Sequence, residues 1–136
     1  MFLIDANIVI LFNKRGNAAL DRRVFHAFDS GAGLVLPSVV RLELEVGVLR
    51  SNNPGAARAK LDKFLELVAD IVAFDQHDAI AAAEIGAELM NQGRVIGSYD
   101  LLIAAQAYTR QAVLVTHNTA EFSRVPGLRL EDWTQA

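Results

Sequence analysis

The chain has 136 residues, of which 52% are hydrophobic and 21% are charged, so it suits one well-packed domain and not a disordered chain. Its formal net charge of -3 shows no overall basic excess of the kind that usually accompanies nucleic-acid binding. A divalent ion held by several acids would still leave room for a local basic face. The absence of cysteine excludes disulfides, thiolate metal sites and cysteine nucleophiles, and it fits a reducing, cytoplasmic location.

The sequence shows neither a membrane segment nor a targeting segment. No apolar run approaches the roughly 20 residues that are needed to cross a bilayer. The amino terminus lacks the basic, apolar and small-residue succession of a signal peptide. We therefore expect residues 1–136 to form a single domain of mature protein without membrane contact.

Short apolar runs alternate with longer periodic segments along the chain. The runs predict buried strands at residues 2–4, 34–36, 71–74 and 112–116, and a weaker one at 128–130. Between them, apolar residues at helical spacing predict amphipathic helices with stripes at Val39, Leu42, Val46 and Leu49, at Leu61, Phe64, Leu65 and Val68, and at Ile80, Ala83, Ala87 and Met90. The pattern predicts a three-layer α/β fold, with a mainly parallel sheet of about five strands and helices on both faces.

In an open parallel sheet, ligands bind beyond the carboxyl ends of the strands. Asp5 directly follows the first predicted strand, in the stretch MFLIDANIVI, and so lies at that edge. Two interpretations are open. Asp5 either contributes to a site at the edge or caps the helix that follows, which is a common role of aspartate.

Glu43 lies on the helix predicted after the second strand, for which Ser38 is the expected N-cap. At 100 degrees per residue, Glu43 borders the apolar stripe of this helix, where a carboxylate is costly without a partner or a metal ion. The alternative is an ordinary solvated acid whose aliphatic stem covers the core.

Asp100 lies in the first turn of the helix that begins in GSYDLLIAAQA, with Ser98 as the expected cap. The helix dipole alone would favour an acid there. However, Asp100 shares its side of the helix with Ile103 and Ala104, so we expect it to face the edge of the sheet, whereas the polar residues should face away: Gln106, Thr109 and Arg110.

The stretch THNTAEF after the fourth strand brings Thr116, His117, Asn118 and Glu121 to the same edge. A helix cap by Thr119 is the ordinary explanation for part of this cluster, and a lone loop histidine is more often neither a base nor a ligand. His26 and His77 lie in presumed helices without ligand spacing, and we interpret them as structural. The glycines form no phosphate-binding loop, and no serine lies in a G-x-S-x-G turn.

Three carboxylates thus come from three elements to one edge of the sheet: Asp5, Glu43 and Asp100. Without compensation they would repel and raise one another's pKa values. An all-oxygen site favours a hard cation, Mg²⁺ or Mn²⁺, which orients and deprotonates water and stabilises charge on a phosphoryl oxygen. The sequence therefore indicates phosphodiester hydrolysis.

Four segments, LIDANIVI, PSVVRLELEVGVLR, IGSYDLLIAAQA and LVTHNTAEFSRVPGLRLEDW, resemble in order and spacing the motifs of PIN-domain ribonucleases of the VapC toxin type. The resemblance implies a metal-dependent endoribonuclease that cuts structured RNA such as tRNA or rRNA. It implies that Asp5, Glu43 and Asp100 are the catalytic, metal-binding acids. Asn7 matches the amide of the family's D-x-N motif, and Thr116 matches a hydroxyl residue near the acids.

Two positions depart from the family pattern. Ala6 replaces the usual Thr or Ser, which removes one hydrogen bond to the acids, and Asn118 stands where many relatives carry a fourth acid. Glu121 could supply that charge one turn later as a further metal ligand, although an acid here also begins a common helix motif. With three carboxylates rather than four, we expect one tightly held ion.

The resemblance also implies a mechanism and partners. Asp5 and Asp100 would hold the ion, Glu43 would bind it or position water, and cleavage would leave a 5'-phosphate and a 3'-hydroxyl. The expected partners are a VapB-like antitoxin that covers the cleft and a second copy in a homodimer, within a higher assembly when the antitoxin binds. The basic residues that we predict to contact RNA phosphates are Lys14, Arg15, Arg22, Arg23, Arg41 and Arg50.

Three other functions compete with this one. The same acids could serve a metal-dependent phosphatase or DNA nuclease, or the chain could be a binding-only relative with a decayed centre. In a receiver-like signalling module, Asp75 would accept phosphate, but Ala6 and THNT supply neither the paired acids nor the lysine that such modules carry.

Overall fold

The computed structural model describes residues 1–136, and its centre is a sheet of five parallel strands. The strands are β1 (Phe2–Ile4), β2 (Leu34–Pro37), β3 (Val68–Val72), β4 (Val113–Val115) and β5 (Arg129–Glu131). Their spatial order in the sheet is β3-β2-β1-β4-β5. The predicted parallel α/β architecture is confirmed.

Seven helices connect the strands and cover both faces of the sheet, because each pair of parallel strands needs a crossover connection. They are α1 (Ala6–Lys14), α2 (Ala18–Asp29), α3 (Ser38–Leu49), α4 (Pro54–Leu65), α5 (Gln76–Asn91), α6 (Ser98–Thr109) and α7 (Thr119–Phe122). None of them combines the length and the apolar composition that crossing a membrane would require.

The core lies around the central strands. Leu3, Leu34 and Leu114 are inaccessible to solvent, and they belong to three neighbouring strands. Burial of each such side chain stabilises the fold by about 1.5–3 kcal/mol. Near the carboxyl terminus, Trp133 is also buried and packs edge to face on Phe2.

The third strand differs from its prediction. It spans Val68–Val72 and not residues 71–74, and it is only partly covered, with Ala69, Asp70 and Ile71 exposed. The reason is its position at the edge of the sheet, where it pairs with β2 alone. The boundaries of β2, β4 and β5 differ from the predicted ones by a single residue at one or both ends.

Helix α3 buries a different face from the one that its apolar stripe predicts. Leu42, Val46 and Leu49 are exposed, whereas Val40, Leu44 and Val48 are buried together with Val39. The helix is apolar on two sides, and its contacts with β2, α1 and α4 select one of them.

The stripes of α4 and α5 are also partly wrong. α4 ends at Leu65, so Val68 belongs to β3 and only Leu61 and Phe64 are buried. In α5, Ile80 and Met90 are exposed, and the buried positions are Asp78, Ala82 and Leu89. The buried acid, Asp78, lies on the side of α5 that packs against α6, and it forms an ion pair there.

The partner in this ion pair is Arg110, which with Gln106 was expected to face away from the sheet. Instead Gln106 is fully buried and donates from Nε2 to the Val72 carbonyl oxygen at 2.9 Å. Arg110 donates to Asp78 Oδ1 at 2.9 Å and to the Ala73 carbonyl oxygen at 3.0 Å. The polar side of α6 is therefore used to bind the end of β3 and α5.

The predicted serine caps are wrong as well. Ser38 and Ser98 are the first residues of their helices, and Pro37 and Gly97 occupy the N-cap positions without a side-chain hydrogen bond. Ser38 Oγ instead accepts a hydrogen bond from the Phe74 amide at 3.1 Å, which ties α3 to the segment after β3.

Candidate active site

The candidate site lies where the direction of the chain across the sheet reverses. β2 and β3 follow β1 on one side, and β4 and β5 lie on its other side. Crevices of this kind, beyond the carboxyl ends of the strands, are the usual ligand sites of open α/β sheets. The segments that follow β1 and β4 meet there.

Asp5 is the central acid of this crevice, and only 4% of it is exposed. Its Oδ1 accepts from the Ala6 amide at 2.8 Å, which makes Asp5 the N-cap of α1. Its Oδ2 accepts from the Thr116 hydroxyl at 2.8 Å and from Asn7 Nδ2 at 3.2 Å. Asp5 therefore caps α1 and at the same time contacts the segment after β4, so the role of a helix cap does not keep its carboxylate away from this edge of the sheet.

The loop after β4 is fixed by hydrogen bonds at each position. Thr116 is buried, and its amide donates to the Glu131 carbonyl oxygen at 3.0 Å. Asn7 Oδ1 accepts from the His117 amide at 3.2 Å. The Asn118 amide donates to Thr116 Oγ1 at 3.0 Å. Thr116 thus supplies a hydroxyl to Asp5 although residue 6 is an alanine.

Glu43 comes to the crevice from α3. Its Oε1 is buried and has no hydrogen-bond partner, so the carboxylate is not the solvated helix acid of the alternative interpretation. The side chain lines a small pocket together with Gly97, Ser98, Tyr99 and Asp100. An orphaned buried carboxylate oxygen needs a proton or a cation.

Asp100 comes from the first turn of α6 and is partly buried beside Gly97. A side-chain carbon at position 97 would lie 3.3 Å from Asp100 Oδ2 and 3.7 Å from Glu121 Oε1. Glycine at this position therefore allows the two carboxyl groups to approach the backbone. This role of Gly97 is not recognisable from the sequence, because a single glycine before a helix is common.

Glu121 lies in α7 and faces the same crevice. Its Oε1 accepts from the Gly97 amide at 2.7 Å, and its Oε2 accepts from Asn118 Nδ2 at 2.8 Å. Asn118 therefore holds Glu121 in place. Glu121 and Asp100 both lie beside Gly97, so Glu121 is near enough to the other acids for the role of a further metal ligand to remain a prediction.

Burial raises the pKa values of Asp5, Glu43 and Asp100, and neighbouring acids add to the effect. Burial raises the pKa of Asp5, and the nearby charge of Glu121 adds to this, against the hydrogen bonds from Thr116, Ala6 and Asn7. Burial, with the charges of Asp5 and Asp100, raises the pKa of Glu43 to about 7.

Asp100 and Glu121 show opposite shifts. Burial raises the pKa of Asp100 to about 6, with further contributions from the charges of Glu121 and Asp5. The Gly97 amide and the Asn118 side chain lower the pKa of Glu121. Of the four acids, Glu121 is therefore the one best stabilised as an anion by the chain itself.

The donor set fits a hard divalent cation. It consists of carboxylates from four elements, and no cationic side chain pairs with Asp5, Glu43 or Asp100. Glu43 Oε1 supports this fit, because it is a buried carboxylate oxygen without a hydrogen-bond partner and is therefore free to bind a cation. No three acidic or histidine side chains lie close enough together to hold an ion directly. Binding of an ion would therefore require small side-chain movements or water molecules between the ion and some of the carboxylates.

The predicted RNA-binding residues fall into two groups. Arg23 pairs with Glu131 at 2.6 Å and Arg41 with Glu45 at 3.0 Å, so both are engaged within the chain. Arg15 is exposed, with Asp21 3.6 Å away. Three others are exposed and make no ion pair: Lys14, Arg22 and Arg50.

A groove begins at Glu43 and runs between α1, α3 and α4. Apolar side chains form much of its surface, and Lys14 and Lys60 belong to its lining. The apolar lining includes Val9, Ile10, Leu44, Val48, Ala57 and Leu61. The groove is therefore a partly apolar surface that adjoins Glu43.

Asp75 and the three histidines have the following places in the structure. Asp75 is the N-cap of α5 in a reciprocal capping box with Asp78, which accounts for its carboxylate without a phosphate. His26 and His77 lie in α2 and α5, as predicted. His117 is in the loop after β4 and bonds to the carboxyl-terminal segment.

Comparison with known proteins identifies the family. The PIN domain family matches residues 2–128. The chain is 37% identical to the tRNA(fMet)-specific endonuclease VapC of Shigella flexneri and 34% identical to ribonuclease VapC2 of Rickettsia felis, each over 98% of both chains.

Solved structures agree with the sequence relatives. The fold matches VapBC2 from Rickettsia felis, bound to a promoter DNA fragment, with a TM-score of 0.90, 31% identity and coverage of 97% of this chain and 98% of the other. It matches DNA-bound VapBC from Salmonella typhimurium with a TM-score of 0.89 and 32% identity, over 97% of each chain. The crevice of acids is thus found in a chain that belongs to the PIN-domain family and, within it, to the VapC ribonucleases.

Proposed function

We propose that this protein is a metal-dependent endoribonuclease and acts as the toxin of a toxin-antitoxin pair. The observation that carries the proposal is the crevice between β1 and β4, where Asp5, Glu43, Asp100 and Glu121 meet without a cationic partner. Membership of the VapC ribonucleases supports the reaction class. Residues 1–136 act as one PIN domain in this proposal.

The acids have separate roles. Asp5 and Asp100 hold Mg²⁺ or Mn²⁺, and Glu43 completes the site or orients the attacking water through its free Oε1. Asn7 and Thr116 keep the Asp5 carboxylate in one orientation. Glu121 is a less direct member, because the Gly97 amide and Asn118 already occupy both of its oxygens.

The bound ion would polarise the scissile phosphate and lower the pKa of a water molecule. Glu43 Oε1, which has no hydrogen-bond partner in the chain, is the carboxylate oxygen free to accept a proton from a water molecule in the crevice. In-line attack leaves a 5'-phosphate and a 3'-hydroxyl. The exposed cations Lys14, Arg15, Arg22 and Arg50 contact RNA phosphates, whereas Arg23 and Arg41 do so only if their ion pairs open.

The substrate in this proposal is a structured RNA, with tRNA as the first candidate, because a 37% identical relative is named a tRNA(fMet)-specific endonuclease. The partner is a VapB-like antitoxin, because similar solved structures are VapBC complexes. The apolar groove that begins at Glu43 suits a partner segment that covers the acids. A homodimer, and a higher assembly with the antitoxin, complete the proposal.

The test is digestion of total RNA by the purified protein with Mg²⁺, with Mn²⁺ and with a chelator, followed by mapping of the new 5' ends. We expect metal-dependent cleavage at few sites, and its loss in Asp100→Asn. Asp62→Asn is the matched control, because it removes an exposed aspartate of α4. Equal cleavage by wild type and Asp100→Asn would overturn the proposal, as would preferential cleavage of DNA or of a phosphomonoester.

A further inference from the structure

His117 lies in the loop after β4, between two residues that each contact an acid of the crevice. Thr116 donates to Asp5 Oδ2 at 2.8 Å, and Asn118 donates to Glu121 Oε2 at 2.8 Å. The backbone of His117 is itself fixed, because its amide donates to Asn7 Oδ1 at 3.2 Å. His117 therefore carries an exposed imidazole on the same loop whose neighbouring side chains contact Asp5 and Glu121, and its own backbone is tied to Asn7.

The imidazole is held through one ring nitrogen only. Nδ1 lies 3.1 Å from Asp132 Oδ2 and 3.1 Å from Thr134 Oγ1. The side chain of His117 is 55% exposed, whereas that of Asp132 is 16% exposed. The ring is therefore oriented from the protein side, and Nε2, which has no partner within the chain, is left for the solvent.

The segment that orients the ring is itself anchored. Asp132 Oδ1 accepts from the amide and from the hydroxyl of Thr134, at 2.9 and 2.6 Å. Trp133, between them, is buried, and Asn17 Nδ2 donates to the Thr134 carbonyl oxygen at 3.2 Å. Such support converts an exposed side chain into a preorganised one.

The hydrogen bond to Asp132 also selects the tautomer. Burial raises the pKa of Asp132, but hydrogen bonds from Thr134 and His117 outweigh it and lower the pKa overall. An ionised carboxylate can only accept hydrogen bonds, so the proton lies on Nδ1 of His117. In the neutral ring Nε2 then carries a lone pair and is an acceptor.

We propose that His117 reads the ribose of the substrate, by accepting a hydrogen bond at Nε2 from the 2'-hydroxyl of a nucleotide next to the scissile phosphate. This inference rests on the proposed ribonuclease function. A phosphate group offers only acceptors to a neutral acceptor nitrogen, and a deoxyribose offers no hydroxyl at this position. The proposed hydrolysis does not use the 2'-hydroxyl as nucleophile, so selection of RNA requires a contact of this kind.

Binding is measured first, so that the test does not depend on catalysis. The probes are fluorescent oligo(U) and oligo(dU) of equal length, which differ only in the 2'-hydroxyl. We expect wild type to prefer oligo(U), and His117→Ala to lose about three- to tenfold of that preference, the value of one hydrogen bond. His26→Ala, an exposed histidine of α2, is the control and keeps the preference.

Cleavage is measured next, on a synthetic RNA that carries the site mapped in the total-RNA digest. Single 2'-deoxy substitutions are placed at each nucleotide near the scissile bond. We expect one position to slow wild type about three- to tenfold and to have no effect on His117→Ala. His117→Gln, which retains a side-chain acceptor, regains part of the sensitivity.

The two outcomes separate the inference from the proposed function. If wild type cleaves RNA and His117→Ala retains the full 2'-deoxy profile and the full oligo(U) preference, His117 does not read the ribose. If wild type binds oligo(U) and oligo(dU) equally, the inference also fails. If wild type prefers oligo(U) and His117→Ala loses this preference, but wild type cuts no RNA, the proposed function fails while the contact of His117 with the 2'-hydroxyl stands.

Discussion

Two clusters in this chain contain carboxylates that are at least partly removed from solvent, and they differ in the sign of the pKa shifts of these carboxylates. The first is the crevice of Asp5, Glu43 and Asp100, in which all three pKa values are raised. The second surrounds Asp78 in α5, which is fully buried. Burial alone would raise the pKa of Asp78, but hydrogen bonds from Arg110 and Thr109 lower it.

The difference lies in the partners. Asp78 has a guanidinium at 2.9 Å and an amide donor at 3.0 Å, so its charge is neutralised within the chain. The crevice has no cationic side chain, and Glu43 Oε1 has no partner. A satisfied carboxylate supports the fold, whereas unsatisfied carboxylates at the carboxyl edge of a sheet leave room for a cation from solution.

Asp78→Asn is the substitution that should affect stability most. It keeps the shape of the side chain but leaves the Arg110 guanidinium largely buried without its anion, so we expect a loss of about 3–5 kcal/mol in the free energy of unfolding. Denaturant titration measures it. Glu45→Gln, which breaks the more exposed pairs with Arg58 and Arg41, is the control, with a loss of about 0–1 kcal/mol. Equal losses in the two variants would remove the distinction between the clusters.

Glu43→Gln should have the opposite sign for stability. It removes the charge of a partly buried carboxylate that has no partner, so we expect the free energy of unfolding without metal to rise. RNA cleavage should fall about 100- to 1000-fold, because a charged group that acts in the transition state is lost. Thermal melts and single-turnover cleavage measure the two effects. A variant that is less stable and fully active would show that Glu43 is a structural acid.

The parallel sheet explains why the acids could be predicted. Asp5 directly follows β1, Glu43 lies on the helix that follows β2, and Asp100 lies in the first turn of the helix that precedes β4. In a parallel α/β sheet, strands end and the connecting helices begin at the same edge. Glu43 was found beside the core although the predicted stripe of α3 was wrong. It lies between the two apolar sides of the helix, so either side places it at a border.

The second cluster could not be predicted, because it depends on pairs of residues far apart in sequence. Asp78 and Arg110 are 32 positions apart, and each has an ordinary surface explanation on its own helix. Only the packing of α5 on α6 makes the pair, and that packing also buries Gln106. The sequence of α6 by itself therefore predicts that its polar side faces solvent, because nothing within this helix indicates the partners in α5 and β3.

Stability should depend on pH in opposite ways at the two clusters. Carboxyl groups have pKa values of about 4 in the unfolded chain. In the folded chain the pKa of Asp100 is about 6 and that of Glu43 is about 7. The folded chain then binds more protons over this interval, so these groups reduce stability as the pH rises through it. Asp78, with its lowered pKa, contributes stability that is present above the unfolded value and is lost on acidification.

Binding of Mg²⁺ or Mn²⁺ at the crevice should restore the folding stability that is lost there as the pH rises. At about pH 7.5, with the ion at about 100 times its dissociation constant, binding to the folded chain alone adds about 2.7 kcal/mol. Thermal melts across pH, with and without the ion, measure this. The control is Asp100→Asn with Glu43→Gln, in which both the pH slope and the effect of the ion should shrink. If the double variant keeps the slope, other groups cause it.

Thr116→Val is the smallest change to the crevice. It keeps the shape of a buried side chain but removes the hydroxyl that donates to Asp5 Oδ2 and accepts from the Asn118 amide. The pKa of Asp5 should rise further, since that hydrogen bond lowers it. Loss of a group that orients a metal ligand costs about tenfold in metal affinity or more, and Thr116→Ser should restore it. Isothermal titration with Mn²⁺ measures the affinity; if valine binds the ion as tightly as serine, the hydroxyl does not orient Asp5, and Asn7 and the Ala6 amide suffice to hold it.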